Sequence, residues 1–218
     1  MSLLTPAYQE EKYIGSLLCS ARNQTYPFHD VVVANSSTDG TAALTRNFGG
    51  REVWAAYGNI AAARNQAAYH SQGEILVFAD ADVLFHTQFV ERAVAALEAG
   101  AALVHPREVV YDSSKWNLWL FPPQVVRPWW NTTRCVAVWR EVYEAVGGYD
   151  ETCNPIAPWA ERCREDLDFG ARVAAFYGRR SVKVLPWLIG TSARRYKAQG
   201  FKGWERFDEP ARARIHWR

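Results

Sequence analysis

The chain has 218 residues, of which 49% are hydrophobic and 22% are charged, and its formal net charge is +2. This composition excludes a disordered chain and predicts one globular domain of ordinary size. The small net charge argues against strong non-specific binding to nucleic acid, so no nucleic-acid partner is expected. The longest apolar runs are strand-sized, which argues against a membrane span of ~18 residues.

Short apolar runs alternate with helical patterns along the first hundred residues. Continuous β-type runs predict strands at residues 2–5, 30–34, 52–55 and 75–79. Apolar residues at helical spacing predict helices at residues 11–23, 38–46, 61–70 and 88–99. Val, Ile and Leu runs separated by helices are typical of a parallel sheet that is covered on both faces. The fold class is therefore α/β, with a Rossmann-like first half.

The pattern changes after Arg107. Residues 113–130 are crowded with Trp and Pro, and three readings of this stretch stay open: core packing, a sugar-stacking wall, or an interfacial belt at a membrane. Beyond it, the sequence predicts a β-type run at residues 135–140 and then a short helix. A second helix at residues 165–177 and a strand at residues 182–185 follow. Because no linker separates residues 1–107 from residues 108–218, we expect a single domain.

The terminal segments and the cysteines bear on the cellular location of the protein and on the state of its thiols. The N-terminus lacks a charged start followed by a long apolar segment, so the simplest location is the cytoplasm, with peripheral contact at a membrane surface as an alternative. Residues 192–218 carry eight Arg or Lys against three Asp or Glu, which suits either a solvated helix or an anionic partner. Cys153 and Cys163 bracket one loop and could approach each other, but free thiols are expected in a cytoplasmic protein.

Polar residues follow three of the predicted strands, in TPAYQEE, ANSSTDGT and ADAD. In open α/β sheets, ligands bind just beyond the carboxyl ends of the strands. Asp80 and Asp82 are two residues apart, so on an extended chain their side chains point to the same side. One or two carboxylates together with substrate phosphates typically hold Mg²⁺. The pair therefore predicts a metal–phosphate site, with a turn or a helix cap as the alternative.

Five motifs, in order along the chain, resemble the family 2 glycosyltransferases with a GT-A fold. They are TPAYQEEKYIGSLLCSARNQTYP, VVVANSSTDGTAA, NIAAARNQAAYHSQGEILVFADADV, WREVYEAVGGYDE followed by REDLDFGARV, and TSARRYKAQGF. The resemblance implies a single GT-A domain with a mostly parallel sheet and helices on both faces. It also implies a nucleotide-sugar-binding half at residues 1–107 and an acceptor-side half at residues 108–218, with a basic C-terminal segment.

The resemblance places the donor nucleotide against the first half. Pro6 and Tyr8 would flank the nucleobase, and Glu10 would bind base or ribose; a core tyrosine and a helix-capping acid are the alternatives. Asn35 stands where the family commonly has an Asp that reads the base edge. An amide donates as well as accepts, so UDP-, GDP- and dTDP-sugars stay open as donors. Asn35 also fits an Asx turn. Arg64 would reach the diphosphate, pair with a site carboxylate, or lie on a helix surface.

The resemblance also implies a divalent cation, Mn²⁺ or Mg²⁺, held by Asp82 with help from Asp80. No histidine lies between His105 and His216 to add a further ligand. Asp80 would in addition contact the nucleotide.

Acidic residues open the predicted helix at residues 165–177. The resemblance makes Asp166 the general base, Glu165 the residue that orients the acceptor, and Asp168 a further acidic position. Acids are also favoured in the first turn of any helix, which is the structural alternative. Arg194 and Arg195 would cover the leaving diphosphate, or would lie on a basic surface helix.

The resemblance implies an inverting, metal-assisted hexosyltransferase that acts on an unknown sugar or lipid-linked acceptor. One alternative is a polyprenyl-phosphate sugar synthase at a membrane surface, and another is a non-catalytic nucleotide-sugar-binding module. Nucleotidyl transfer is disfavoured because no Gly-rich phosphate loop follows the first strand.

Overall fold

The computed structural model describes residues 1–111, 134–153, 165–192 and 194. The strands within these ranges are β1 (Ser2–Ala7), β2 (Asp30–Asn35), β3 (Arg51–Trp54), β4 (Ile75–Ala79), β5 (Leu84–Phe85), β6 (Leu103–Val110), β7 (Cys135–Trp139) and β8 (Val182–Thr191). The helices are α1 (Ile14–Arg22), α2 (Thr41–Asn47), α3 (Ile60–Tyr69), α4 (Phe89–Glu98), α5 (Arg140–Ala145) and α6 (Glu165–Tyr177), with a 3₁₀ turn at Arg179–Ser181.

The described strands form one sheet in the order β3-β2-β1-β4-β7-β6-β8-β5. β1 pairs in parallel with β2 and β4, and β2 pairs in parallel with β3. β7 runs antiparallel to both β4 and β6, whereas β6 and β8 are parallel. The carboxyl ends of β1, β2 and β4 therefore meet at one edge of the sheet, as expected for a mostly parallel α/β sheet.

Two apolar layers cover the sheet, and β4 lies in the middle of both. Ile75, Val77 and Ala79 face the layer that contains α1 and α4. Leu76 and Phe78 face the opposite layer, which contains α3, α5 and α6. Every residue of β4 is buried, which explains why its sequence is a continuous apolar run rather than an alternating one.

Two strands differ most from the sequence-based expectation, and the two-residue strand β5 was not predicted either. β8 continues to Thr191 instead of ending at residue 185, because Ile189, Gly190 and Thr191 pair with β6 again after a register shift. β6 was not predicted: its sequence contains Pro106, Arg107 and Glu108, and its pairing with β8 shifts register between Pro106 and Glu108. A proline cannot donate a hydrogen bond to a neighbouring strand, so a run that contains a proline and two charged residues does not predict a strand.

The cysteines correct one expectation and leave another untested. Cys19 and Cys135 are free, but Cys153 is disulfide-bonded, so the expectation of a free thiol is wrong for Cys153. The described residues do not include Cys163, the Trp-rich stretch at residues 113–130 or Arg195. Among the helices of the described ranges, each is too short or too polar to cross a bilayer.

Candidate active site

The two aspartates after β4 lie on a turn rather than on an extended strand. β4 ends at Ala79, and the N–H of Val83 donates to the carbonyl of Asp80 at 3.1 Å. The extended geometry expected for the pair is therefore wrong. Asp80 and Asp82 nevertheless border the same cavity, where Asp82 is only 4% exposed.

Arginines surround both carboxylates. Asp80 Oδ1 lies 2.9 Å from Nη2 of Arg64. Asp82 Oδ2 lies 3.3 Å from Nε of Arg194 and 3.7 Å from Nη1 of Arg134. Burying a carboxylate is costly unless a cation offsets its charge, and these contacts explain how the acids are tolerated inside an apolar segment.

Arg64 connects the strand-end acids to the acids of α6. Arg64 is 4% exposed, and its guanidinium binds Glu165 Oε1 through Nη1 at 2.9 Å, in addition to Asp80. It lies 5.0 Å from the ring centroid of Tyr149. Burial acts to lower the pKa of Arg64, but Tyr149, Glu165 and Asp80 raise it, so the guanidinium stays charged. Arg64 is a buried bridge and not a surface residue of its helix.

Glu165 and Asp166 open α6 and are both buried beside this bridge. Burial raises the pKa of Glu165, Arg64 opposes the rise, and the neighbouring Asp166 carboxylate adds to it. Asp166 Oδ1 accepts the N–H of Leu167 at 2.9 Å. Asp168 differs from these two, because it pairs with Nε of Arg172 at 2.7 Å along the helix.

Glu10 and Arg194 form a two-pronged ion pair at the same cavity. Nη1 and Nη2 of Arg194 lie 2.6 Å and 2.5 Å from the two carboxylate oxygens of Glu10, and the guanidinium stacks 4.4 Å from the Tyr13 ring. Burial raises the pKa of Glu10, against the lowering effect of Arg194. The N-cap of α1 is Tyr13, and Glu10 contributes to the start of this helix through its carbonyl oxygen, which accepts the N–H of Ile14 at 2.9 Å, whereas its side chain binds Arg194.

A cavity of about 190 Å³ lies at the carboxyl ends of β1 and β4. The described residues that border it are Pro6, Ala7, Tyr8, Glu10, Ser36, Ala56, Tyr57, Gly58, Asn59, Ile60, Ala63, Asp80, Ala81, Asp82, Arg134 and Arg194. The structure thus brings the predicted residues Pro6, Tyr8 and Glu10 together with the aspartate pair and Arg194.

Two predicted nucleotide residues, Asn35 and Arg64, do not border this cavity. The Oδ1 atom of Asn35 accepts the N–H of Ser37 at 3.0 Å, so the predicted Asx turn is present. Its Nδ2 donates to Oε1 of Glu52 on β3 at 2.8 Å. The amide is therefore engaged on both of its polar atoms, inside the protein.

Sequence reasoning missed Arg134, Tyr57 and the role of Asn59. Arg134 precedes β7, donates its backbone N–H to Glu108 at 2.7 Å, and donates through Nη1 to Thr191 Oγ1 and to the carbonyl of Ser192. Asn59 caps α3, because its Oδ1 accepts the N–H of Ala62 at 3.0 Å. The cap was readable as Asn before an alanine-rich run, whereas no local signal marks Arg134.

Asp80 and Asp82 fit a divalent cation as oxygen ligands. Carboxylates suit Mg²⁺ and Mn²⁺, and diphosphate oxygens typically complete such sites. A second acidic group, formed by Asp150, Cys153 and Asp168, has ligand atoms within 4.8 Å of one another. It suits a cation less well, because Cys153 is disulfide-bonded and Asp168 is paired with Arg172.

Residues 2–157 match the model of the family described as Glycosyl transferase family 2. The glycosyltransferase AglE of Haloferax volcanii is 34% identical over an alignment of 111 residues, and the match covers 44% of this chain and 35% of AglE. The 4,4'-diaponeurosporenoate glycosyltransferase of Staphylococcus haemolyticus is 29% identical over an alignment of 123 residues, and the match covers 51% of this chain and 33% of that protein. The matches thus span about a third of these relatives' length.

Solved structures share the fold. Mannosyl-3-phosphoglycerate synthase from Rubrobacter xylanophilus has a TM-score of 0.70 at 12% identity, over 97% of this chain and 71% of that one. Glucosyl-3-phosphoglycerate synthase from Mycobacterium tuberculosis, solved with Mn²⁺, UDP-glucose and phosphoglyceric acid, has a TM-score of 0.67 at 19% identity, over 98% and 78%. The mannosyltransferase PcManGT from Pyrobaculum calidifontis, in complex with GDP-mannose and Mn²⁺, has a TM-score of 0.64 at 22% identity, over 94% and 59%. The fold is that of the GT-A glycosyltransferases.

Proposed function

The chain belongs to glycosyl transferase family 2, and on that basis we propose that it is an inverting, metal-assisted glycosyltransferase. It moves a sugar from a nucleotide-diphosphate donor to an acceptor hydroxyl. Similar folds bind UDP-glucose with Mn²⁺ and GDP-mannose with Mn²⁺, which supports both the donor class and the cation.

The observation that carries the proposal is the bridge made by Arg64. One buried guanidinium contacts Asp80 at the end of β4 and Glu165 at the start of α6, each at 2.9 Å. Two acidic motifs, from opposite halves of the chain, therefore lie on either side of one side chain. A transferase needs this proximity, because donor and acceptor must meet at a single reacting carbon.

On the donor side, we assign the cation to Asp82 and Asp80. A bound Mn²⁺ or Mg²⁺ would offset the negative charge that develops on the departing diphosphate. Arg134 and Arg194 add positive charge on the same side of the cavity, since both contact Asp82. Pro6 and Tyr8 line the part of the cavity assigned to the nucleobase.

On the acceptor side, Asp166 takes the proton of the acceptor hydroxyl. The acceptor oxygen then attacks the anomeric carbon from the face opposite the nucleotide, and the bond from that carbon to the diphosphate breaks. Inversion follows from this single displacement. Glu165, held by Arg64, orients the acceptor beside Asp166.

Two substitutions test the assignment of roles. Asp82→Asn should lose both nucleotide affinity and turnover. Asp166→Asn should bind the donor nucleotide normally but turn over at least ~100-fold more slowly, the low end of the range for general-base catalysis. Calorimetry with UDP and GDP in Mn²⁺, and sugar transfer to a hydroxyl acceptor, measure the two effects. If Asp166→Asn transferred sugar as fast as the parent, Asp166 would not be the general base and would only be an acid in the first turn of α6. A parent protein that binds nucleotide sugars but transfers nothing would favour a binding module.

A further inference from the structure

Two exposed tyrosines touch each other at the edge of the cavity. The ring centroids of Tyr8 and Tyr57 are 4.2 Å apart, and the ring planes are tilted by 43°. Tyr8 is 49% exposed and Tyr57 is 62% exposed, although both border the cavity. Aromatic rings that stay exposed beside a cavity offer flat apolar surface to a ligand.

The backbone holds Tyr57 in this place. It lies in the short connection between β3, which ends at Trp54, and α3, which begins at Ile60. Gly58 follows it with a φ of +97°, a conformation that side chains larger than hydrogen rarely adopt. Asn59 then caps α3 and also donates to the carbonyl of Glu151 at 2.9 Å. The connection is thus anchored on the side that follows the tyrosine.

Hydrogen bonding to the base edge has less support in this chain. The amide of Asn35 donates to Glu52 and accepts from Ser37, and the residue does not border the cavity. The two tyrosine rings are therefore the most evident surface for a base. Stacking on aromatic rings suits any base, because every base has a π-face.

We propose that Tyr57, together with Tyr8, forms the nucleobase subsite, an inference that rests on the proposed function. A base between the two rings would need ~3.5 Å to each ring, and therefore about 7 Å between the rings. The ring centroids are only 4.2 Å apart. The base therefore packs against the cavity side of the ring pair instead of between the rings. Tyr57 then contributes to binding of the donor nucleotide, and it does so for any base rather than for one particular base.

Calorimetry on the whole chain in Mn²⁺ tests this role, with UDP, GDP and inorganic pyrophosphate as probes. Tyr57→Ala should weaken the binding of both UDP and GDP at least about fivefold, the low end for base–aromatic stacking. Pyrophosphate has no base, so its affinity should not change. Tyr57→Phe keeps the ring and should bind like the parent. Tyr69→Ala removes a tyrosine that is 82% exposed and outside the cavity, and should also bind like the parent.

The outcomes separate this inference from the function on which it rests. If Tyr57→Ala binds UDP and GDP as the parent does, Tyr57 is not part of the subsite. An equal loss of pyrophosphate affinity would mean general damage to the cavity, and would also overturn the inference. A parent chain that binds neither nucleotide would contradict the proposed function itself, and the subsite with it.

Discussion

At the residue scale, the character of each acid depends on the cation beside it. Asp80 and Glu165 share the buried Arg64, Asp82 contacts Arg134 and Arg194, and Glu10 binds Arg194 through both of its oxygens. These acids at the cavity and behind it are therefore each paired with a cation, and the site is not purely acidic. A ligand that carries both phosphates and a divalent cation supplies the same two signs of charge.

Replacing Arg64 by Met should destabilise the fold by about 3–5 kcal/mol, because buried acids lose their cation. The loss should depend on pH. Burial raises the folded pKa of Glu165 above its ordinary value, so protonation favours the folded state, and stability falls as pH rises through the folded pKa. Without Arg64 this pKa rises further. The difference in unfolding free energy between the parent and Arg64→Met should therefore be small near pH 4.5 and larger at pH 8. Urea unfolding at both pH values measures it.

The control for this substitution is Arg46→Met, which removes a more exposed pair with Glu52. It should cost at most about 1 kcal/mol. Parallel stability profiles for Arg64→Met and the parent between pH 4.5 and pH 8 would contradict the proposed charge bridge.

At the element scale, the end of β8 determines where the C-terminal segment can be removed. Ile189, Gly190 and Thr191 belong to β8 and pair with β6. Truncation after Leu188, three residues beyond the strand end that the sequence predicts, would therefore damage the sheet. A cut after Ser192 preserves the strand and removes residues 193–218, which include Arg194.

This truncation should weaken nucleotide-sugar binding and slow transfer, because Arg194 is assigned to the diphosphate. Arg194→Gln alone should weaken binding about tenfold, as expected when one charge-assisted contact is lost. Calorimetry with UDP in Mn²⁺ measures both variants. Arg180→Gln, which changes an exposed arginine of the 3₁₀ turn, provides the matched control. Unchanged affinity and full-rate transfer in the truncated chain would assign this segment another role.

At the scale of the whole molecule, α3 joins the two halves of the chain. Asn65 accepts from Tyr143 Oη at 2.7 Å and from the N–H of Tyr149 at 2.9 Å. It donates to the carbonyl of Tyr149 at 2.9 Å and to Glu151 at 2.8 Å. Phe169 of α6 stacks on Tyr149 in the same layer, at 4.5 Å between ring centroids. The donor-side helix α3 and the acceptor-side helix α6 thus share one core.

Because the core is shared, we predict that the chain unfolds as one domain, in a single transition. Asn65→Leu should lower the unfolding free energy by about 2–4 kcal/mol, since it leaves buried groups of Tyr143 and Tyr149 unpaired. Circular dichroism and tryptophan fluorescence during urea unfolding should coincide in both proteins. The control Asn47→Leu, at the exposed end of α2, should change stability by less than about 0.5 kcal/mol. Separate transitions for the two probes would mean two domains.

The sequence by itself determined the elements whose signals are local. The apolar run of β4 predicted a strand at residues 75–79, and the amphipathic pattern of α6 predicted a helix at residues 165–177, both with the observed bounds. The ordered motifs were enough to predict the family and the α/β fold. Such signals are readable because side-chain periodicity depends on neighbours a few residues away.

Only the tertiary structure decided which charges meet. Arg64 and Glu165 are 101 residues apart, and Arg194 and Glu10 are 184 apart, so no local pattern relates them. The turn that places Asp80 against Arg64 and Asp82 against Arg194 likewise depends on where α3 and the end of β8 lie in the packed chain. β7 and β6 pair antiparallel between β4 and β8, and this order of strands brings Glu10 and Arg194 to one cavity. Burial then requires each acid to have a cation, because an unpaired charge in the interior is too costly to keep.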